Sequence, residues 1–418
     1  MTTPLRAVST RLVRAVGQTA GPAPRVVVSG NAAVPWDLLT LVDTSLEQYR
    51  LFMLNAPAGI PTRAGIVHET PFVGPGMRRL TSLRYIPSRL SQVPHLFTTA
   101  TPPDVVCLHT SAPSGSNVSL GVEVNILPAA IEAARARGAL VLAQLNPAMP
   151  YTYGDAEIPL SSIDAALWVD QPLGDTPRTL QGHGPPQTGA LAQLGRVVSD
   201  RVRDGSVLQL GIGRVPDAVL PGLLERRGLG IWSEMISDGV MTLDQTGALS
   251  TGRSIVASFV MGSAQLYKWA DHNERLRLLR TETTNDPALI ARNTAMVSIN
   301  TALQVDLFGQ ANASRIAGRI HSGFGGQIDF IEGALHAEGG QALMALQSWH
   351  PTADTSTIIA MIDEPVTSFQ HTAVITEQGV AEIWGNDEQA QARELIEQAA
   401  HPSVRAELWE EARALGLA

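Results

Sequence analysis

Residues 206–240 restrict the chain's fold more than any other stretch. SVLQLGIGRVPDAVLPGLLERRG reads as a buried strand (Val207–Leu210), a glycine loop (Gly211, Gly213) and a helix with Pro216 in its opening turn. Proline suits that position because its missing N–H would be unpaired there anyway. LGIWSEMISDGV follows, with strand character from Leu229 to Trp232, a break at Ser233 and a carboxylate at Glu234. Ser237, Asp238 and Gly239 then bring turn chemistry. Strand, glycine loop, helix and strand make a β-α-β unit. The loops beyond the carboxyl ends of its strands are where such a unit meets ligands. Glu234 therefore belongs to the ligand edge and not to the core.

The rest of the chain alternates in the same way. RVVVSGNAAVPWDLLTLV (25–42), PDVVCLHTSAPSG (103–115) and ILPAAIEAARARGALVLAQLN (126–146) supply strands and helices, and Ala165–Val169 adds a strand. After the central unit, strand-like runs recur at 254–261, 296–313, 356–362 and 373–384, and the tail from Glu388 is largely helical. Alternation of this kind predicts an α/β fold with mainly parallel sheets flanked by helices. QPLGDTPRTLQGHGPPQTG (171–189) breaks it with proline, glycine and polar residues and reads as an interdomain linker. The expected division is an N-terminal domain at 1–180 and a C-terminal domain at 190–418, and 418 residues are enough for both cores.

Composition narrows the function classes. A formal net charge of −9 argues against broad capture of nucleic acid. Cys107 is the single cysteine, so no intrachain disulfide or cysteine-rich metal site is available, and its apolar neighbours mark a buried thiol. No apolar run reaches the length of a membrane span. The acid-free N-terminus (Arg6, Arg11, Arg14) reads as a first helix, Ser9–Val16, and a cytoplasmic protein is expected.

Mechanistic motifs are mostly missing. Lys268 is the only lysine, which rules out a G-x-x-x-x-G-K-[ST] phosphate loop. There is no H-E-x-x-H, no histidine spacing for zinc and no G-x-S-x-G elbow. GIGRVPDA is no dinucleotide fingerprint, since Pro216 holds the third glycine position. His68, His321 and His350 lie in loops, and no histidine is assigned a catalytic role. What is left is Glu234 with two glycine loops, Gly211–Gly213 and Gly323–Gly326. A carboxylate can be a covalent nucleophile toward an activated acyl group, and glycine loops bring backbone N–H groups close to an oxyanion or phosphate. The same residue types also suit a turn cap or an ion pair.

Several blocks together resemble the acetyl-CoA hydrolase/transferase family, and most closely its 4-hydroxybutyrate and butyrate CoA-transferase branch. They are VLQLGIGRVPDAVL, LGIWSEMISDGV, FVMGSAQLY, NDPALIARNTAMVSINTALQVDLFGQ, SGFGGQIDF and TEQGVAEIWG, with PSRLSQVPHLF, SLGVEVNILPAAIEAARARG and QLNPAMPYTYGD in the first half. Coverage is nearly the whole chain, in the family's order. The resemblance implies two CoA-transferase-type α/β domains, a dimer or larger homo-oligomer, and ping-pong CoA transfer with Glu234 as nucleophile. It places Gln209 beside that glutamate as a catalytic partner. Gly211, Ile212, Gly213, Arg214 and Val215 match the loop lying against CoA, and Gly325 and Gly326 offer backbone to CoA or the acyl carbonyl. Acyl-CoA and small carboxylates are the implied partners, with no nucleic acid, no membrane, no metal and no permanently bound cofactor.

Three places depart from the family's pattern. Thr376-Glu377-Gln378-Gly379 stands where T-E-Y-G is usual, Phe369-Gln370 where a proline–arginine pair is common, and Ser356-Thr357-Ile358-Ile359 where S-R-I-V is frequent. The nucleophile is intact, but the acceptor carboxylate is left open. So is the choice among a transferase, a hydrolase of the same fold and a non-catalytic acyl-CoA-binding protein.

Overall fold

The structure, a computed structural model, describes residues 5–173 and 188–418. The chain divides into two compact units. Unit one is Met1–Thr176 with Ile255–Thr284 and Ser322–Gly325; unit two is Pro177–Ser254, Asn285–His321 and Gly326–Ala418. Two segments of the second half thus fold with the first. Backbone pairing explains the larger one, since the N–H groups of Val124 and Asn125 both donate to Ser258 O, and Thr281 N–H donates to Asn125 O. The expected linker falls mostly on residues 174–187, outside the described residues.

Unit one is built on strands β1 (Arg25–Val28), β2 (Tyr49–Phe52), β3 (Ile66–Thr70), β4 (Leu83–Tyr85), β5 (Val105–Thr110), β6 (Leu140–Leu145) and β7 (Ala165–Trp168). With the short edge strand Arg6–Ala7 they form one sheet, ordered Arg6–Ala7, β7, β6, β5, β1, β2, β3, β4. Every pairing in it is parallel. β1, β5 and β6 are buried along their whole length, as near-continuous apolar strands covered on both faces should be. Helix α1 (Trp36–Ser45) buries Leu38, Leu39, Val42 and Ser45 on one face; α2 (Leu127–Ala136) has Pro128 in its first turn. Cys107 is fully buried in β5, and burial pushes its thiol far up, which leaves it inert.

Unit two contains α3 (Gly189–Asp200), β8 (Val207–Leu210), α4 (Arg214–Leu223), β9 (Gly230–Trp232), α5 (Asp238–Gln245), β10 (Met296–Asn300), α6 (Gln327–His336), β11 (Gln341–Ala345), β12 (Ala373–Thr376), β13 (Gly379–Glu382) and α7 (Glu388–Glu394). Its strands lie in the order β13, β12, β11, β10, β8, β9, all parallel except the β12–β13 hairpin. Met296, Phe330, Met344, Val374 and Leu395 belong to its core. One local expectation is corrected: the turn read at Ser237–Gly239 is the start of helix α5. Ser237 takes the extended N-cap conformation, and Asp238, fully buried in the first turn, suits the positive end of the helix. The fold is α/β with mainly parallel sheets flanked by helices, as expected.

Candidate active site

β8 is hydrogen-bonded to β9 on one side and β10 on the other, so the chain leaves β8 in one direction and later returns on its opposite flank. A crevice at the carboxyl ends follows from that reversal of strand order. The chain crosses it through Gly211–Gly213 into α4. Gly213, at the cap position with φ of 109°, adopts a backbone that side chains disfavour. Ser233 fastens the other side of the crevice. Its buried hydroxyl donates to Leu210 O (3.1 Å) and accepts from Leu210 N–H (3.4 Å), so the β8–β9 pairing is extended by a side chain. Glu234 is the next residue.

Glu234 is half-buried, and its Oε2 accepts from Asn285 Nδ2 at 3.2 Å. Asn285 is fully buried. It immediately precedes Asp286, the N-cap of the short helix Pro287–Ile290, which accepts from Ala288 N–H at 2.7 Å, and Pro287 occupies the first turn. A third stretch arrives at Gly326, the residue opening α6. A Cβ there would lie 1.9 Å from Glu234 Oε2 and 2.2 Å from Asn285 Nδ2, so any side chain would displace one of the two. Three segments far apart in sequence thus meet on one carboxylate.

Other expected site residues lie nearby in the fold with different partners. Gln209, almost fully buried, accepts at Oε1 from Ser298 Oγ (2.7 Å), its register partner on β10, and Ser298 Oγ accepts from Asn300 Nδ2 (2.7 Å). Its amide oxygen is therefore committed along the sheet, and the orientation of its N–H group follows. Ile212, Arg214 and Val215 line a cavity of about 350 Å³ together with Trp349 and Thr357. Gly211 and Gly213 have open space where a Cβ would stand. Gly325 falls in unit one, where its carbonyl accepts from Leu90 N–H at 3.0 Å. Of the departures, Thr357 faces the 350 Å³ cavity, and Gln378 Nε2 donates to Ser348 Oγ (3.4 Å) and Glu377 Oε1 (3.3 Å).

Reading the sequence overlooked Asn285, Ser233 and Ser298. Asn285 had a local signal, since Asn-Asp-Pro announces a capped helix and fixes the residue before it. Nothing local says which carboxylate that residue faces. Burial lowers His109 to about 4, so it is neutral between Gln144 and Asn146. What the arrangement presents is a partly accessible carboxylate with an amide donor on one oxygen and bare backbone beside it. That is the equipment of a carboxylate nucleophile.

Residues 262–412 match the acetyl-CoA hydrolase/transferase C-terminal domain. Over 411 residues, 93% of each chain, the sequence is 35% identical to the 4-hydroxybutyrate coenzyme A transferase of Clostridium kluyveri. Among solved structures, RipA from Yersinia pestis matches with a TM-score of 0.88 at 26% identity, over 98% of this chain and 100% of that one. A 4-hydroxybutyrate CoA-transferase from Porphyromonas gingivalis matches with a TM-score of 0.81 at 29% identity, over 98% of both chains. The chain belongs to the acetyl-CoA hydrolase/transferase family and is a CoA-transferase.

Proposed function

We propose that the protein moves CoA from an acyl-CoA to a short carboxylate of the acetate, butyrate or 4-hydroxybutyrate type, with Glu234 as the covalent nucleophile. The supporting observation is the convergence of Asn285 and Gly326 on that carboxylate. A Glu234 oxygen attacks the thioester carbonyl, the C–S bond breaks, and a mixed anhydride and CoA thiolate result. The thiolate attacks the glutamyl carbonyl, the anhydride C–O bond breaks, and the first carboxylate leaves a glutamyl-CoA thioester behind. An incoming carboxylate runs the same steps in reverse and departs as the new acyl-CoA. One thioester is exchanged for another, so the net reaction needs little driving force.

In this reading Asn285 Nδ2 holds Glu234 Oε2 and orients the carboxylate for attack. The Gly326 backbone faces the acyl carbonyl where negative charge develops. Gln209, aligned by Ser298, is a second amide at the crevice. Gly211–Val215 and the 350 Å³ cavity receive CoA, with Arg214 as a phosphate partner. A homo-oligomer of two or more chains belongs to the same reading through the resemblance, and light scattering of the purified protein tests it.

The experiment is turnover of a short acyl-CoA panel with and without acetate, followed by intact mass of the protein after acyl-CoA alone. Thioester consumption that requires acetate and yields acetyl-CoA, with a CoA adduct on Glu234, is expected. Equal consumption without acetate, with free CoA accumulating, replaces the transferase by a hydrolase. Acyl-CoA binding with neither turnover nor adduct replaces it by a binding protein.

A further inference from the structure

A second cavity, of about 610 Å³, opens in unit two at the opposite edge of the sheet from Glu234. Strands β8 to β12 run parallel, so their amino ends share one edge. His371 lies two residues before β12, at that edge, and Trp384 follows the antiparallel strand β13 to the same place. Gly211 and Glu234, by contrast, follow the carboxyl ends of β8 and β9.

Three features give this cavity a chemical preference. His371 is fully buried and lines it, yet among the described residues neither ring nitrogen finds a well-formed hydrogen bond, and the buried Gln310 Oε1 on the same wall also finds none. Burial lowers His371 to about 4 against a weaker opposing effect from the Gly309 backbone, so the ring is neutral and carries an acceptor nitrogen. Buried acceptors without donors cost stability until a ligand or water supplies them. The side walls are aromatic. Phe369 stands edge-on to His371 at 4.9 Å, and Trp384 is 57% exposed. The rim is acidic, with Asp387 and Glu388, and no lysine or arginine lines it among the described residues. Such a lining repels the anionic CoA esters and carboxylates of the transfer reaction.

We propose that this cavity binds a small flat organic cation, an aryl or heteroaryl amine or amidine, at a site separate from acyl transfer. Its N–H donors meet His371 and Gln310, its ring lies against Phe369 and Trp384, and its charge faces Asp387 and Glu388. One of the departures from the family's pattern, Phe369-Gln370, falls on this lining, so the site is a property of this chain's own residues.

The test is calorimetric titration of the full-length protein with benzamidinium, using benzoate as the probe of the same shape and opposite charge. Saturable benzamidinium binding at about millimolar Kd is expected for so small a ligand, and none with benzoate. Glu388→Lys and Trp384→Ala should each weaken it by about tenfold or more, while Glu234→Ala leaves it unchanged. Normal CoA transfer by Glu388→Lys reports that the variant is folded. The proposal is overturned by an absence of saturable benzamidinium binding or by equal binding of benzoate. Binding lost in Glu234→Ala but kept in Glu388→Lys overturns it as well.

Discussion

Both units place a carboxylate at a topological switch point, and they treat it in opposite ways. In unit one, β1 pairs with β2 on one side and β5 on the other, as β8 does with β9 and β10 in unit two. At the carboxyl end of β1, Asn31 Nδ2 donates to both oxygens of Glu123 (2.9 Å each), and Asn125 Nδ2 donates to Oε1 at 2.7 Å. Asn55, following β2, holds Asn31 in turn at 2.7 Å. Glu123 is 1% exposed. The equivalent crevice of unit two leaves Glu234 half-buried, beside a glycine that has no side chain to cover it. Strand order opens a crevice in each, and the side chains around it decide whether it is sealed or open. In unit one three asparagines seal it; in unit two a glycine keeps it open.

The largest effect expected from this contrast is at Glu234. Glu234→Ala and Glu234→Gln should keep acyl-CoA binding and lose transfer by about 10⁴-fold or more, as removal of a covalent route does. Steady-state transfer with saturation binding measures both. Near-normal transfer by the alanine variant would remove Glu234 from the mechanism and make unit two's crevice as inert as unit one's.

Next in size is closing the open crevice. Gly326→Ala forces a methyl group into the position occupied by Glu234 Oε2 and Asn285 Nδ2, and displacement of the nucleophile should cost about 100-fold in kcat. In a Glu234→Ala background the same change should add little, because the two act on one group. A full additional loss in that background would mean that Gly326 serves something other than Glu234. Asn285→Ala follows, at roughly tenfold to hundredfold in kcat/KM, the value of one hydrogen bond to a charged group. An unchanged kcat/KM would show that the 3.2 Å contact is structural only.

These residues also mark how far the chain could be read before folding. The strand, glycine loop and carboxylate of 206–240 were legible because they are local: period, turn chemistry and a proline in the first turn all act within a few residues. The glycine loop at Gly326 was legible, although its close approach to Glu234 was not. Asn285 stands 51 positions beyond Glu234, and no propensity specifies that pairing; it arises only when the sheet brings the two together. The partition of Ile255–Thr284 into unit one was hidden for the same reason, being set by backbone hydrogen bonds to residues 124 and 125. Gln209 looked free to face Glu234 until its strand partner proved to be a serine that takes its amide oxygen. The sealed network of unit one had no signature at all, because asparagines after strands read as ordinary turn formers.

The smallest effect on activity, and the most direct test of the sealed crevice, is Glu123→Gln. Burial outweighs the amide donors and pushes the Glu123 carboxyl up to about 7. The folded state therefore favours the protonated acid relative to the unfolded chain. Its stabilising contribution is complete below the ordinary carboxyl range, near 4.5, and is lost as pH rises through about 7. Glutamine cannot ionise, so the variant should gain on the native protein between pH 5 and pH 8, by roughly 1–3 kcal/mol at the upper end. Thermal unfolding midpoints measured in parallel across that range read the difference directly. A difference that does not change with pH would mean that Glu123 stays in one protonation state throughout. A native protein that gains on the variant with rising pH would mean that the asparagine donors outweigh burial. The charged carboxylate would then be the form unit one is built to hold, and the two crevices would differ in access alone.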